Sequence, residues 1–222
     1  MVKKQNYIWK NDRNFALDDY EKQQLFYVVE SNDIINKARH DLTARELKIM
    51  DFIISKIKPD DDEFITVKTS MYELTNVLNL KRSGTTYSDL AKNLDSLGTK
   101  RVVIYNDVER SITQTSWVMQ SKYWENGRVE LLLSKDLSPY LLGLKNNYTQ
   151  YLLLDTVKLR SKYSILLYKL MRECDKDGSN SIAILQGTPD EFKEWLGAPE
   201  SYEYKDLKKN VLKKAIEEIN LK

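Results

Sequence analysis

A short phrase is written twice in this chain. Residues 86–94 read TYSDLAKNL and residues 203–211 read EYKDLKKNV, so Tyr-x-Asp-Leu-x-Lys-Asn recurs 117 residues apart. Such a repeat constrains the fold only if its surroundings repeat as well, and they do. The first copy follows LTARELKIMDFIISKI, where Leu42, Leu47, Met50, Ile53, Ile54 and Ile57 mark one face of a helix of about four turns. After the polar break KPDDDE, the β-branched run FITVK reads as a strand, and Thr69 or Ser70 supplies an N-cap for a helix carrying Leu74, Val77 and Leu78. Past the loop NLKRSGT, Tyr87, Leu90, Leu94 and Leu97 mark a third helix. Three strand-like runs follow, RVVIYND, SITQTSWVMQSKYW and RVELLLS, the last two joined across Asn126-Gly127, a pairing suited to a type I′ hairpin.

The same order returns in the second half. LRSKYSILLYKLMREC matches the long helix, with Leu166, Leu167, Leu170 and Met171 standing where Ile49, Met50, Ile53 and Ile54 stood. SIAILQ takes the strand's place and TPDEFKEWLGA that of the capped short helix. Tyr204, Asp206, Leu207, Lys209 and Asn210 then fall on Tyr87, Asp89, Leu90, Lys92 and Asn93. Helix, strand, helix, turn, helix and then strands is the order of a winged helix, whose third helix is placed to enter a major groove. The expected fold class is α+β, with two tandem winged-helix domains related by an internal repeat. The second is expected to lack its C-terminal wing strands, because Leu221-Lys222 falls within or just after the third helix, and a fragment of a longer chain is the expected reason. The expected domains are an N-terminal tail over 1–25, poorly ordered unless bound, a first winged helix over 26–145 and a second over 146–222. The plainer alternative is two small α+β domains with similar cores and no ligand in common.

Composition removes most catalytic classes. His40 is the single histidine, expected as a surface or capping residue, so no histidine cluster can hold a metal, and no Ser-His-Asp arrangement is recognisable around it. Neither G-x-x-x-x-G-K-[ST] nor G-x-G-x-x-G occurs. The acidic run 60–63 reads as a solubilising turn. The 14 tyrosines include conceivable nucleophiles for strand transfer, but rolling-circle enzymes also need a paired-histidine metal site. No enzyme activity, cofactor or metal is expected. Cys174 is alone, expected as a small buried hydrophobe, and suits a reducing cytoplasm. No apolar run is long enough to cross a bilayer, so no membrane partner is expected.

A net charge of +2 gives no global pull toward nucleic acid, so any such binding must come from local charge. It is found in the second repeated phrase. On a helical wheel Leu207, Val211, Ala215 and Ile219 take one side, and Lys205, Lys209, Asn210, Lys213 and Lys214 surround the other, with Lys208 a further contact candidate on the same helix. Lysines there can follow phosphates or reach guanine edges, and Asn210 can pair with adenine. Tyr204 opens this helix. The first copy is less basic: Ser88 and Lys92 on the helix, Lys81 and Arg82 before it and Arg101 after it suit backbone contact. Arg160 and Lys162 are further backbone candidates. The plain alternative is a solvated, lysine-rich face.

Three stretches carry a resemblance: VVESNDIINKARHDLTARELKIMDFIISKI, ELLLSKDLSPYLLGLKNNYTQYLLLDTVKLRSKYSILLYKLMRE and FKEWLGAPESYEYKDLKKNVLKKAIEEIN. From about Val28 to the last residue the chain resembles the initiator Rep proteins of theta-replicating bacterial plasmids. That resemblance implies two winged-helix domains that bind direct repeats, or iterons, at a plasmid origin. It implies monomers that open the origin and recruit host replication proteins, such as the host initiator and replicative helicase. It also implies homodimers, formed mainly through the first domain, that restrain initiation and so control copy number. Base contacts would come from the helix beginning near Tyr204. The competing class is a tandem winged-helix transcriptional regulator with no initiation role.

Overall fold

The computed structural model describes residues 19–58, 60–64, 66–106, 109–175 and 184–221. The first eighteen residues of the expected tail lie outside that set, but its end is structured. The Asp19 carboxylate accepts the Lys22 N–H at 3.1 Å and opens α1 (Tyr20–Gln24). Gln24 donates from Nε2 to the Val77 carbonyl at 2.6 Å, which ties α1 to the first unit. Then come β1 (Tyr27–Ser31), α2 (Asn32–Asn36), β2 (Ala38–His40) and the central helix α3 (Ala44–Ser55). Thr43 and Glu46 cap α3 reciprocally: the Glu46 N–H donates to Thr43 Oγ1 at 3.3 Å and the Thr43 N–H to Glu46 Oε2 at 2.7 Å.

β3 (Val67–Ser70), α4 (Met71–Val77), α5 (Gly84–Thr99), β4 (Arg101–Asn106), β5 (Ser111–Ser116), β6 (Val118–Tyr123) and β7 (Arg128–Leu133) complete the first unit's framework. Of the two candidate caps, Ser70 is the one used on α4, its Oγ accepting the Glu73 N–H at 3.0 Å. β3, β7 and β6 form an antiparallel sheet in the order β3-β7-β6, which with α3, α4 and α5 is the winged-helix arrangement. SITQTSWVMQSKYW, expected as one strand, is two: β5 joins a separate sheet, β2-β4-β5, and the chain changes sheets at Trp117. The reason is burial. Trp117 is 4% exposed and meets the His40 ring edge-on at 5.4 Å, so it turns the chain inward between two otherwise amphipathic strands.

The β6–β7 hairpin also differs from expectation. The Trp124 N–H donates to the Arg128 carbonyl at 3.0 Å and the Gly127 N–H to the Trp124 carbonyl at 2.9 Å, enclosing a three-residue loop. Only Gly127 in that loop has a positive φ, +83°, so this is a turn with a left-handed glycine after it, whereas type I′ would need Asn126 left-handed too.

α6 (Ser138–Leu141), β8 (Tyr148–Leu152), α7 (Leu153–Val157), α8 (Lys162–Cys174) and α9 (Pro189–Leu196) follow. The last helix, 204–220, is α over Tyr204–Asp206 (α10), π over Leu207–Leu212 and α again over Lys213–Asn220 (α11). The expected boundary between 145 and 146 falls just before β8, which pairs along its whole length with β1 and therefore closes the first unit. The pairing could not be seen in YTQYL alone, because its partner lies more than a hundred residues earlier. Of the expected strand SIAILQ, residues 181–183 lie outside the described set and 184–186 pair with no strand.

α8 serves both units. It packs against α2, α3 and β8 of the first and against α9 and α11 of the second. Its burial is nevertheless less complete than that of α3: Leu167 and Leu170 are buried, but Met171 is 36% exposed and Cys174 half-buried, against the expectation of a buried cysteine. α3, enclosed by β1, α5, α7 and α8, buries Ile49, Met50, Phe52, Ile53 and Ile54 and has no solvent face of the expected width. One polar cluster fixes α8 to the first unit. Lys169 Nζ lies 2.7 Å from Asp51 Oδ1 and 3.1 Å from Glu30 Oε1, and the Tyr151 hydroxyl donates to the same two oxygens at 3.1 and 2.7 Å. All four side chains are buried.

Candidate nucleic-acid interface

The helix 204–220 is seated by Leu207, Val211 and Ala215, each no more than 1% exposed. Burying each of the two larger side chains contributes about 1.5–3 kcal/mol. Its far end is held by Glu218, whose carboxylate accepts the N–H groups of Arg160 at 2.8 Å and Ser161 at 3.2 Å, at the start of α8. Burial pushes the Glu218 carboxyl up, but those N–H groups, the Ser164 hydroxyl and Lys48 together hold it below the ordinary range. The acidic end of the helix is thus an anchor, and the basic stretch before it is left facing solvent. Lys205, Lys208, Lys209, Lys213 and Lys214 are exposed, Asn210 is half-buried, and Tyr204 is 59% exposed. Lys213 approaches Glu217 at 3.8 Å, a fully solvated pair that leaves the ammonium available.

In the first unit α5 is the counterpart. Ser83 caps it, its Oγ accepting the Thr86 N–H at 3.1 Å, and Leu90, Leu94 and Leu97 are fully buried. Ser88 and Lys92 are exposed on it, and the flanking Lys81, Arg82 and Arg101 are exposed too. Acid offsets this face: Asp89 pairs with Arg45 at 3.6 Å, and Asp95 accepts the Tyr123 hydroxyl at 2.8 Å. Arg82 is tethered, donating to the Tyr72 hydroxyl at 3.1 Å with its guanidinium 5.2 Å from that ring's centre.

Two candidates from the start of α8 part company. Arg160 is exposed. Lys162 is half-buried and donates to the Gly197 carbonyl at 2.8 Å, closing the C-terminal end of α9, where Gly197 takes φ +56°. Burial pushes its ammonium below the ordinary lysine range. Its position is that of a structural lysine, which spacing at a helix start could not distinguish from a phosphate contact. His40 is half-buried and its Nδ1 accepts the Leu42 N–H at 3.4 Å, ahead of the Thr43 cap of α3, so it is neither a surface residue nor a helix cap, and burial with nearby lysines pushes its pKa down to about 3. The sequence identified the hairpin but singled out no contact residue on it. Lys122 and Arg128 flank its tip, and Arg128 lies 4.6 Å from the centre of the Trp124 ring, which is 39% exposed. Basic residues on both sides of an Asn-Gly turn were the available signal.

Residues 27–172 match the family described as Initiator Replication protein, WH1, and residues 188–222 match Initiator Rep protein, WH2. The chain belongs to the initiator Rep protein family. The initiator's fold is also that of a solved relative. The crystal structure of the Pi initiator protein in complex with iteron DNA superposes with a TM-score of 0.68, over 90% of this chain and 87% of that one, at 21% identity. The first match runs through α8 and the second begins at the Thr188 cap of α9, so the two winged-helix units meet at the helix that both use. The family makes this chain a DNA-binding replication initiator. Among the described residues no helix is long and apolar enough to cross a membrane.

Proposed function

We propose that this initiator acts in the cytoplasm by binding direct repeats at a plasmid origin, with the helix 204–220 reading bases in a major groove and the first unit holding the backbone. The observation that carries the reading is the division of that helix into a buried apolar side and an opposite side with five exposed lysines and the half-buried Asn210. Opening of the origin and recruitment of host replication proteins, such as the host initiator and replicative helicase, rest on family membership. The binding reading is tested by salt. Log affinity for duplex DNA should fall linearly with log salt at a slope of about −0.9 per phosphate neutralised. Affinity that stays flat from low to moderate salt contradicts it.

A dimer through the first unit fits the sheet β2-β4-β5. β5 is an edge strand, and Tyr105 and Ile112, paired across β4 and β5, are 44% and 61% exposed. An exposed apolar edge is a template for another strand. Sedimentation over a hundredfold concentration range should show a monomer–dimer shift that Ile112→Lys suppresses. A wild-type protein that remains monomeric throughout contradicts the dimer.

A further inference from the structure

The two repeated helices keep the same register only through their first half. Leu90 and Leu94 correspond to Leu207 and Val211 at a spacing of 117, but Leu97 corresponds to Ala215 at 118. All six are buried, so the second helix holds one residue more between core contacts than the first. The π segment Leu207–Leu212 lies at that place, and the Lys213 N–H donates to the Lys208 carbonyl, five residues back. α5 is continuous α-helix over Gly84–Thr99.

The extra residue has a consequence for charge. Lys208-Lys209 and Lys213-Lys214 are two lysine pairs five positions apart. In an α-helix of 3.6 residues per turn, positions five apart point about 140° from each other. A turn closed by i→i+5 bonds takes in about one more residue, which brings such positions back toward one face. All four lysines are exposed while Leu207, Val211 and Ala215 remain on the core.

We infer that the inserted residue is a register device, which seats the apolar side of the helix and at the same time turns both lysine pairs to one DNA-facing surface. The inference rests on the DNA-binding reading above. It gives the second unit four ammonium groups on the stretch where α5 offers Lys92 alone. Without the insertion, seating the core would direct one pair toward the flank of the helix. The device therefore positions the DNA contacts rather than making one.

Two variants that lack the same amine separate register from charge. Lys214→Ala keeps the insertion. Removal of Lys214 returns the core residues to the spacing of Leu90, Leu94 and Leu97. The probe is a labelled random-sequence duplex, on which binding is read as affinity against salt and needs no knowledge of the origin repeat. Lys214→Ala should reduce the salt slope by about one unit, and the deletion by about two or more, with similar melting temperatures. Equal slopes in the two variants overturn the register device and leave DNA binding in place. A wild-type slope near zero overturns the DNA reading and the inference with it. If the deletion fails to fold, Lys208→Ala and Lys213→Ala decide the matter singly: each should lower the slope by about one unit, and an effect from only one of them overturns the shared face.

Discussion

Lys169→Met should destabilise the folded initiator by about 3–5 kcal/mol at neutral pH, the usual consequence of removing one partner from a buried ion pair. The ammonium lies between Asp51 and Glu30, and Tyr151 donates to the same carboxylate oxygens, so methionine leaves two buried carboxylates with one hydroxyl between them. Burial alone would lower the Lys169 pKa, but the two carboxylates outweigh it and raise it above the ordinary lysine value. Burial already raises Glu30 above 4.5 with Lys169 present, and without the lysine that rise must grow. A carboxyl whose folded pKa lies above its unfolded value favours the folded state below the unfolded pKa, and that contribution disappears as pH rises through the folded pKa. The deficit of Lys169→Met relative to wild type should therefore be largest near pH 7 and shrink toward pH 4–5. Denaturant unfolding at both pH values measures it. A deficit under about 1 kcal/mol, or one that grows on acidification, contradicts a buried lock between α8 and the first unit.

Asn210→Ala and Lys209→Ala should each reduce discrimination between an origin repeat and random DNA by about 1–3 kcal/mol, the range for a lost bidentate base contact. The two residues sit on the exposed side of a helix that Leu207, Val211 and Ala215 hold from beneath and Glu218 holds at its end. Neither side chain carries core packing, so melting temperature should stay within a few degrees of wild type. Loss of affinity for both DNAs in equal measure would make these residues phosphate contacts.

Periodicity found the three helices of each unit because each buries a stripe at helical spacing, and five of the six begin at a hydroxyl cap, Thr43, Ser70, Ser83, Ser161 and Thr188, whereas the last begins at Glu203 with no side-chain cap. What it missed is long-range. Nothing in YVVES or YTQYL indicates that they pair with each other, and nothing in the sequence in and before α8 shows that Lys169 is enclosed while the Arg160 side chain is exposed. The lysines of the last helix lie exposed opposite its buried stripe, whereas Lys162, singled out with Arg160 only as a basic residue at a helix start, donates to the Gly197 carbonyl. The π segment is legible in retrospect, as an apolar stride of four from Leu207 to Val211 to Ala215 where the first copy has four and then three.

The central claim is a division of labour, with bases read by the second unit and the backbone held by the first. It is tested by measuring affinity for an origin-repeat duplex and for a random duplex, across salt, in Lys209→Ala and Lys81→Ala side by side. Lys81 is exposed in the loop before α5, on a face where Asp89 and Asp95 offset the lysine charge. The account predicts that Lys81→Ala weakens both duplexes equally and lowers the salt slope by about one unit, whereas Lys209→Ala narrows the gap between them. Loss of discrimination in Lys81→Ala, with discrimination retained in Lys209→Ala, would reverse the roles of the two units and contradict the account.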